Sequence, residues 1–184
     1  MKVSMIAAMD RHRVIAKPEG GLPWKLPRDV KRFRDYCAGK HLLVGRRTFE
    51  EMDGWFTDHK PIVLTHSREH DTGLGQTAHT VEEAVTEAFE DGAPELVVVG
   101  GGAVFAAALP FADELVLTRV DLEVAGGDDL EDYPRFPDYE AEVEWETIHE
   151  EHHEADVENP AAMNFLTLRR VRPSSLRPGR LHLL

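Results

Sequence analysis

The segment ELVVVGGGAVFAAALP, residues 95–110, indicates most directly which class of fold this chain adopts. Its first part is a continuous apolar run, which is typical of a buried strand. Its last part predicts a short helix over Ala103–Leu109, which Pro110 brings to an end. Only three glycines separate the two parts, so the strand passes almost directly into the helix. A strand that is followed at once by a helix is the repeating unit of α/β folds.

The rest of the chain shows the same alternation of strands and helices. Short apolar or extended runs predict strands at Val3–Met9, His41–Gly45, Pro61–Thr65, Glu114–Val124, Glu142–Glu151 and Met163–Val171. Helical patterns predict helices at Pro27–Cys37, Arg46–Met52 and Thr80–Asp91. Because strands and helices alternate first and only strands follow, we predict a mainly parallel sheet with helices on both faces, finished by an antiparallel pair.

The helix of residues 80–91 carries signals for both of its ends. Thr80 is the predicted N-cap, and Glu83 stands at the position that completes a capping box. Gly92 follows the last helical residue and is the predicted stop.

The composition limits the classes of protein to which the chain can belong. With 184 residues, 42% of them hydrophobic, the chain suits one folded domain, which we predict at residues 1–171. The basic, proline-containing stretch of residues 172–184 is interpreted as a flexible tail rather than a functional basic arm. The formal net charge of −13 argues against nucleic acid and anionic membranes as partners, because both bind basic surfaces.

No segment predicts export or insertion into a membrane. The first residues, MKVSMIAAMD, lack the long apolar core of a signal peptide, and charged residues interrupt the later apolar runs. The single cysteine, Cys37, has no intramolecular disulfide partner and is predicted to be a small buried apolar side chain. We therefore expect a cytoplasmic protein, with a monomer as the default and an oligomer left open.

Two other kinds of site are not favoured by the residues. The stretch HEEHHE, residues 149–154, offers potential metal ligands, but in a strand His152 and His153 face opposite sides. A solvated strand end is the preferred interpretation, and no metal site is predicted. A Ser–His–Asp hydrolase is expected to show a GxSxG elbow, which the chain lacks.

The segment LPWKLPRD, residues 22–29, puts a carboxylate in the first turn of a predicted helix. By itself Asp29 would be an ordinary helix-start residue. However, Trp24 precedes it and the apolar Val30 and Phe33 follow, so that the carboxylate would be partly enclosed. An enclosed carboxylate can accept two parallel hydrogen bonds from the amino and ring N–H groups of a heterocycle. The segment therefore predicts a site for such a ring.

The segment LLVGRRTF, residues 42–49, predicts an anion site. Gly45 ends a strand, and Arg46, Arg47 and Thr48 begin a helix, whose first N–H groups suit a phosphate. A solvated pair of arginines is the equally supported alternative.

Two further strand ends add weaker signals. Thr65, His66 and Arg68 leave one strand edge together. The glycines of residues 100–102 let the backbone approach a ligand and turn N–H groups towards it, although a plain glycine turn is the alternative. They lack the GxGxxG spacing of a Rossmann site, so that type of site is rejected.

As a set, the motifs resemble the dihydrofolate reductase family over residues 3–171. The segments LPWKLPRD, GRRTFE, VVVGGGAVF, LVLTRVD, FPDY and NFLTL stand in the order and at the separations of that family. The resemblance implies a mixed, mostly parallel eight-stranded sheet, with about four helices on both faces and a C-terminal antiparallel hairpin. It also implies reduction of 7,8-dihydrofolate to 5,6,7,8-tetrahydrofolate, with NADPH as cofactor, hydride transfer to C6 of the pterin and protonation of N5.

The resemblance assigns roles to particular residues. Asp29 matches the catalytic carboxylate that holds the pterin, with Trp24 beside it and Leu22 on the mobile loop. The implied substrate-binding residues are Ile6, Ala8, Asp29, Val30, Phe33, Met52, His59, Lys60, Val99 and Thr118. The implied NADPH-binding residues are Ala8, Ala16, Gly45, Arg46, Arg47, Thr48, Thr65, His66, Gly100, Gly101, Gly102, Ala103, Val104 and Phe105. A cis peptide bond is implied between Gly100 and Gly101.

The chain departs from the family pattern where the glutamate tail of the substrate binds. His59 stands at the position of the family's arginine, and Lys60 is the neighbouring candidate for its role. Ala16 and Phe105 replace the usual Gly and Tyr without removing a catalytic group. Two alternatives stay open at this point. One is a reductase of the same fold that acts on another pterin or pyrimidine, as in the riboflavin pathway, and the other is a catalytically weak NADPH- or folate-binding protein.

Overall fold

A computed structural model of the protein describes residues 1–67 and 76–174, and one eight-stranded sheet forms its centre. The strands are β1 Lys2–Met9, β2 His41–Gly45, β3 Lys60–Leu64, β4 Gln76–Ala78, β5 Glu95–Gly100, β6 Glu114–Val120, β7 Trp145–His153 and β8 Met163–Arg170. Their order across the sheet is β4-β3-β2-β5-β1-β6-β8-β7. All neighbours up to β6 are parallel, and β8 is antiparallel to both β6 and β7. The predicted mixed sheet with a C-terminal hairpin is therefore confirmed.

In the part of the chain that the structure describes, four α-helices connect the parallel strands. They are α1 Pro27–Cys37, α2 Arg46–Glu51, α3 Val81–Glu90 and α4 Gly102–Ala108. The bounds of α1 are those that the sequence predicts, with Pro27 in the first turn, where a missing N–H costs nothing. The predicted cap of α3 is also confirmed, because the Thr80 side chain accepts a hydrogen bond from the Glu83 N–H at 3.1 Å.

The alternation of side chains along the strands divides the core into two layers. In β2, Leu43 faces the α3 and α4 side of the sheet, where it joins Val85 and Ala108. Its neighbours Leu42 and Val44 face the opposite side, with Cys37 of α1. Burial on both faces explains why the central strands read as continuous apolar runs rather than alternating ones. Cys37 is fully buried, which confirms the prediction of a small buried side chain, and this burial raises the pKa of its thiol to about 12.

The structure differs from the sequence prediction at three strands. The strand predicted over Glu142–Glu151 is β7 Trp145–His153, because its pairing with β8 runs from Trp145 to His153. The strand predicted over Glu114–Val124 ends at Val120, because Leu122 N donates back to Val120 O and Val124 N donates to Asp10 Oδ2. These bonds turn the chain into a loop, although Leu122 and Val124 continue the apolar alternation of the strand. The strand β4 was not predicted, since it has only three residues and no apolar run.

The predictions about membrane insertion and about the C-terminal tail can be compared only with the described residues. Within residues 1–67 and 76–174, no helix is both long and apolar enough to cross a bilayer. The predicted tail begins at residue 172, and residues 175–184 of it lie outside the described part of the chain. The described beginning of the tail packs on the domain, because Ser174 Oγ donates to Pro110 O at 2.7 Å.

Most of the predicted site residues lie where the parallel strands end. The pairing of β2 with β5 shifts register between Leu43 and Val44, so that Val44 comes to lie opposite Gly100. The carboxyl ends of β1, β2, β3 and β5 meet at this edge, together with the first turns of α2 and α4. Open α/β sheets bind their ligands at such an edge.

Candidate active site

The central feature of the site is a buried carboxylate in an apolar pocket, which we call the inner pocket. Asp29 is 8% exposed, and Thr118 Oγ1 donates to its Oδ1 at 2.7 Å. Burial raises the pKa of Asp29, while the hydrogen bond from Thr118 and the charge of Arg32 act in the opposite direction. The second oxygen of the carboxylate keeps its capacity to accept hydrogen bonds from a ligand.

Local contacts fix the helix turn that carries Asp29. Leu26, directly before α1, is 1% exposed and anchors the turn in the core. Arg28 N donates to Asn159 Oδ1 at 2.9 Å, so a side chain from a distant loop satisfies one free N–H of the first turn. Trp24, which the sequence put beside Asp29, is not among the residues that line the inner pocket and packs instead against the cluster that contains Leu26. Its Nε1 is buried without a hydrogen-bond partner among the described residues.

The inner pocket has a volume of about 370 Å³ and brings together most of the predicted substrate residues. The predicted residues that line it are Ile6, Ala8, Ala16, Leu22, Asp29, Val30, Phe33, Thr48, Met52, Val99, Gly100, Gly101 and Phe105. Lining residues that the sequence did not single out include Ile15, Gly21, Arg34, Glu51 and Trp55. Thr118 stands behind Asp29 rather than in the pocket wall, which suits its role as a donor to the carboxylate.

A second and larger cavity, which we call the outer cleft, adjoins the inner pocket. Its volume is about 850 Å³, and Ala16, Thr48, Glu51 and Gly101 line both cavities. The predicted cofactor residues that line it are Ala16, Gly45, Arg46, Arg47, Thr48, Thr65, His66, Gly101, Gly102, Ala103 and Val104. Arg68, which the sequence grouped with His66, lies outside the described residues. The shared wall makes the two cavities one continuous site.

Glycines allow the strand ends to approach each other closely around the outer cleft. A Cβ atom on Gly45 would lie 2.9 Å from Val104 Cγ2, and one on Gly101 would lie 3.2 Å from Thr48 Oγ1. The backbone between β5 and α4 therefore lies directly against the beginning of α2. The Gly100–Gly101 peptide bond is cis, as the family resemblance implies.

Two of the arginines that line the outer cleft, Arg46 and Arg47, are held by contacts within the protein. Arg46 Nε donates to Glu50 Oε1 at 3.1 Å, and Arg47 Nε donates to Glu51 Oε1 at 3.2 Å. Arg47 Nη2 also donates to Pro18 O at 3.1 Å, which ties the loop after β1 to α2. The side chains of both arginines are more than half exposed, so that they can turn to an anion without uncovering the core.

The structure does not bring His59 and Lys60 into the inner pocket. The His59 ring stacks on Trp55 at a centroid distance of 4.2 Å, and its side chain is only 6% exposed. Lys60 Nζ donates to Asp91 Oδ2 at 2.8 Å, on the loop after α3. The basic residue in the pocket wall is instead Arg34. The sequence contained a signal for it, because Arg34 shares a helix side with Val30 and Phe33.

Comparisons with known proteins agree with this geometry. Residues 2–170 match the family model described as dihydrofolate reductase. Dihydrofolate reductase type 3 of Salmonella typhimurium is 32% identical over 172 residues, which are 94% of this chain and 100% of that protein. The dihydrofolate reductase of Haemophilus influenzae is 34% identical over 171 residues, which are 92% of this chain and 99% of that protein. Among solved structures, the Enterococcus faecalis dihydrofolate reductase, complexed with NADP(H) and RAB-propyl, superimposes with a TM-score of 0.78 at 30% identity. That alignment covers 93% of this chain and 97% of the other.

Proposed function

The chain belongs to the dihydrofolate reductase family, and we propose that the inner pocket and the outer cleft together carry its reaction. The chain is an NADPH-dependent oxidoreductase that reduces 7,8-dihydrofolate to 5,6,7,8-tetrahydrofolate. The observation that supports this use of the site best is the buried Asp29, bonded to Thr118, in an apolar pocket that adjoins a glycine- and arginine-lined cleft.

Asp29 binds and orients the pterin ring in this proposal. A carboxylate can accept parallel hydrogen bonds from the 2-amino group and the ring N3–H, and such charge-assisted pairs are stronger than neutral ones. Ile6, Val30 and Phe33 provide apolar walls for the rest of the ring. The apolar walls exclude water, which strengthens the electrostatic effect of the carboxylate on the ring.

The residues of the outer cleft fit a dinucleotide phosphate. Arg46, Arg47 and His66 provide basic or hydrogen-bonding groups, and the glycine backbone around Gly101 leaves space for a ligand to approach. Bound NADPH supplies the hydride for C6 of the pterin. Water supplies the proton that N5 gains, and the negative charge of Asp29 favours the protonated form of N5 electrostatically. Leu22 covers one side of the pocket.

We propose Arg34 as the group that binds the glutamate tail of the substrate, because it is the basic side chain that the structure puts in the wall of the inner pocket. His59 and Lys60, which the sequence suggested, are engaged with Trp55 and Asp91. In this assignment, R34Q raises the KM for dihydrofolate and changes kcat little. A larger rise of KM in K60Q than in R34Q would return the role to Lys60.

The experiment that tests the proposed function is the loss of NADPH absorbance on addition of dihydrofolate, with NADH as the comparison. We expect turnover that prefers NADPH, and we expect D29N to bind folate-like ligands but to lose at least ~10²-fold in turnover at neutral pH. D35N is the matched control, since Asp35 lies on the same helix with an exposed side chain paired with Lys31. Near-native turnover in D29N would contradict the role of Asp29. An inactive native protein that still binds NADPH would redirect the search to other heterocycles.

The oligomeric state, cellular location and domain bounds of the enzyme are proposed from its charge and composition. We propose a monomer that acts in the cytoplasm without a nucleic-acid partner, as the net charge of −13 supports. We further propose that residues 1–171 form the catalytic domain and that the tail of residues 172–184 is not needed for turnover. Light scattering, which measures the molar mass in solution, checks that the protein is a monomer. A chain shortened after Val171 checks that the tail is not needed, with one shortened after Ser174 as the control that keeps the bond to Pro110.

A further inference from the structure

Arg32 lies directly behind the catalytic carboxylate, outside the pocket that binds the ligand. Its Nη1 donates to Thr118 Oγ1 at 3.1 Å and to Leu117 O at 2.9 Å, and its Nη2 donates to Leu166 O at 3.3 Å. The guanidinium also lies over the Phe165 ring, 4.5 Å from its centroid. An arginine on α1 is thus held against β6 and β8 by four contacts.

The contact with Thr118 matters because this hydroxyl has only one hydrogen to donate. Arg32 occupies one of the acceptor positions of Oγ1, and the hydroxyl hydrogen is directed to Asp29 Oδ1 at 2.7 Å. The two distances put Arg32 Nη1 and Asp29 Oδ1 no more than about 5.8 Å apart. At such a separation an opposite charge still favours the ionised form of a carboxylate.

We propose that Arg32 is a positioning residue of the reductase, which holds the Thr118 hydroxyl as a donor to Asp29 and keeps a positive charge behind that carboxylate. The proposal rests on the proposed role of Asp29 in the reaction. Arg32 acts through Thr118 and touches no ligand, since it is not among the residues that line the inner pocket.

The charges around Arg32 and Asp29 agree with the proposal. Burial raises the pKa of Asp29, and the Thr118 hydrogen bond and Arg32 are the two influences that lower it. Burial lowers the pKa of Arg32, while Asp29, Tyr36 of α1 and Glu151 of β7 raise it.

The other ionisable groups nearby lie on the two sides of this pair. Glu51 of α2 and Arg34 of α1 line the inner pocket beside Asp29. Lys31, Asp35 and His149 border the groove outside Arg32. Of all these groups, Arg32 is the cation that acts on the pKa of Asp29 in the described structure.

A purely structural role for Arg32 makes a different prediction. If the guanidinium served only to join α1 to β6 and β8, its replacement would lower the melting temperature and leave the titration of Asp29 unchanged. The positioning role predicts that the midpoint of the Asp29 titration rises. Without Arg32, the ionised carboxylate loses a nearby positive charge, and the Thr118 hydroxyl that donates to it is no longer held in place.

The test uses three variants of the full chain and two readouts. R32Q removes the charge and keeps an amide donor, R32K keeps the charge, and K31Q removes the same charge at a neighbouring exposed position. The first readout is the titration of the Asp29 carboxyl, followed by ¹³C NMR of aspartate-labelled protein without ligands. The second is the pH profile of hydride transfer from NADPH to dihydrofolate, and thermal unfolding records stability alongside.

We expect the midpoint of the Asp29 titration to rise by about one pH unit in R32Q, with the alkaline limb of the rate profile moving in the same direction. R32K keeps the midpoint close to the native value, and K31Q leaves it unchanged. An unmoved midpoint in R32Q, in a protein that still reduces dihydrofolate, would overturn the proposal and leave the proposed function intact. If R32Q does not fold, R32K provides the test, because it keeps the positive charge at this position. A rise of about one pH unit in the Asp29 midpoint of R32K would contradict the role of the charge. Full turnover in D29N would instead remove the proposed role of Asp29, on which this inference rests.

Discussion

Glu95 offers a stability prediction whose size follows from the structure. It begins β5 and is 9% exposed, and it accepts hydrogen bonds from Ser4 Oγ and from Tyr36 Oη. Lys40 Nζ and Lys2 Nζ lie 3.0 Å and 3.2 Å from its carboxylate oxygens. Burial by itself would raise the pKa of Glu95, but these partners together hold it at about 2, below its ordinary value of 4.5.

The change in pKa converts into a dependence of stability on pH. A carboxyl whose pKa falls on folding stabilises the native state above its unfolded pKa, and this contribution disappears as the pH falls through the folded pKa. Between an unfolded value of 4.5 and a folded value of about 2, the contribution at pH 7 is about 3 kcal/mol, falling to about 1.5 kcal/mol at pH 3. E95Q should therefore lower the free energy of unfolding by up to about 3 kcal/mol at pH 7 and by about half as much at pH 3.

The measurement is urea unfolding of the native protein and of E95Q at pH 7 and at pH 3. E90Q is the matched control, because Glu90 is an exposed residue of the last turn of α3. The reasoning is refuted if the destabilisation by E95Q is the same at both pH values. Such a result would mean that the effect comes from packing and hydrogen bonds rather than from the charge of Glu95.

Three further predictions address the site and the fold. D29N should raise the melting temperature at pH 7 while turnover falls. Burial raises the pKa of Asp29, so that its ionisation in the folded protein costs stability above its unfolded pKa, and a lower melting temperature in D29N would contradict this. G45A should destabilise the protein by about 1–3 kcal/mol and weaken NADPH binding measured by fluorescence titration, since the new Cβ would lie 2.9 Å from Val104 Cγ2; native-like values of both would show that α4 can shift. T80A should lower the free energy of unfolding by about 1 kcal/mol in urea without changing kcat, because the Glu83 N–H loses its cap, whereas T80S should retain most of the stability.

Much of the secondary structure could be predicted from sequence because its signals are local. Pro27 and the helical pattern after it determine α1, and Thr80 with Glu83 determines the start of α3. The apolar run of β5 and the glycines after it indicate a buried strand at a ligand site. Asp29 was recognisable for a similar reason, since the residues that enclose it stand within a few positions of it in the chain.

The remaining features of the site depend on contacts between distant parts of the chain. His59 and Lys60 stand in sequence where the family binds the glutamate tail of the substrate, yet neither lines the inner pocket, because His59 stacks on Trp55 and Lys60 pairs with Asp91. Glu51 was not singled out because its place at the junction of the two cavities depends on how α2 meets the loop after β1.

The sequence by itself determined the bounds of α1, the start of α3, the positions of most strands and which residues belong to the family's motifs. Only the tertiary structure decided what stands behind the carboxylate of Asp29. Thr118 is 89 residues from Asp29, and they meet because β6 pairs with β1 in the sheet that α1 covers. Arg32 looks like one more basic residue of a helix until β6 and β8 bring Thr118 and two carbonyl groups to it. The physical reason is that propensity and periodicity act over a few residues, whereas a buried charge depends on every strand packed around it.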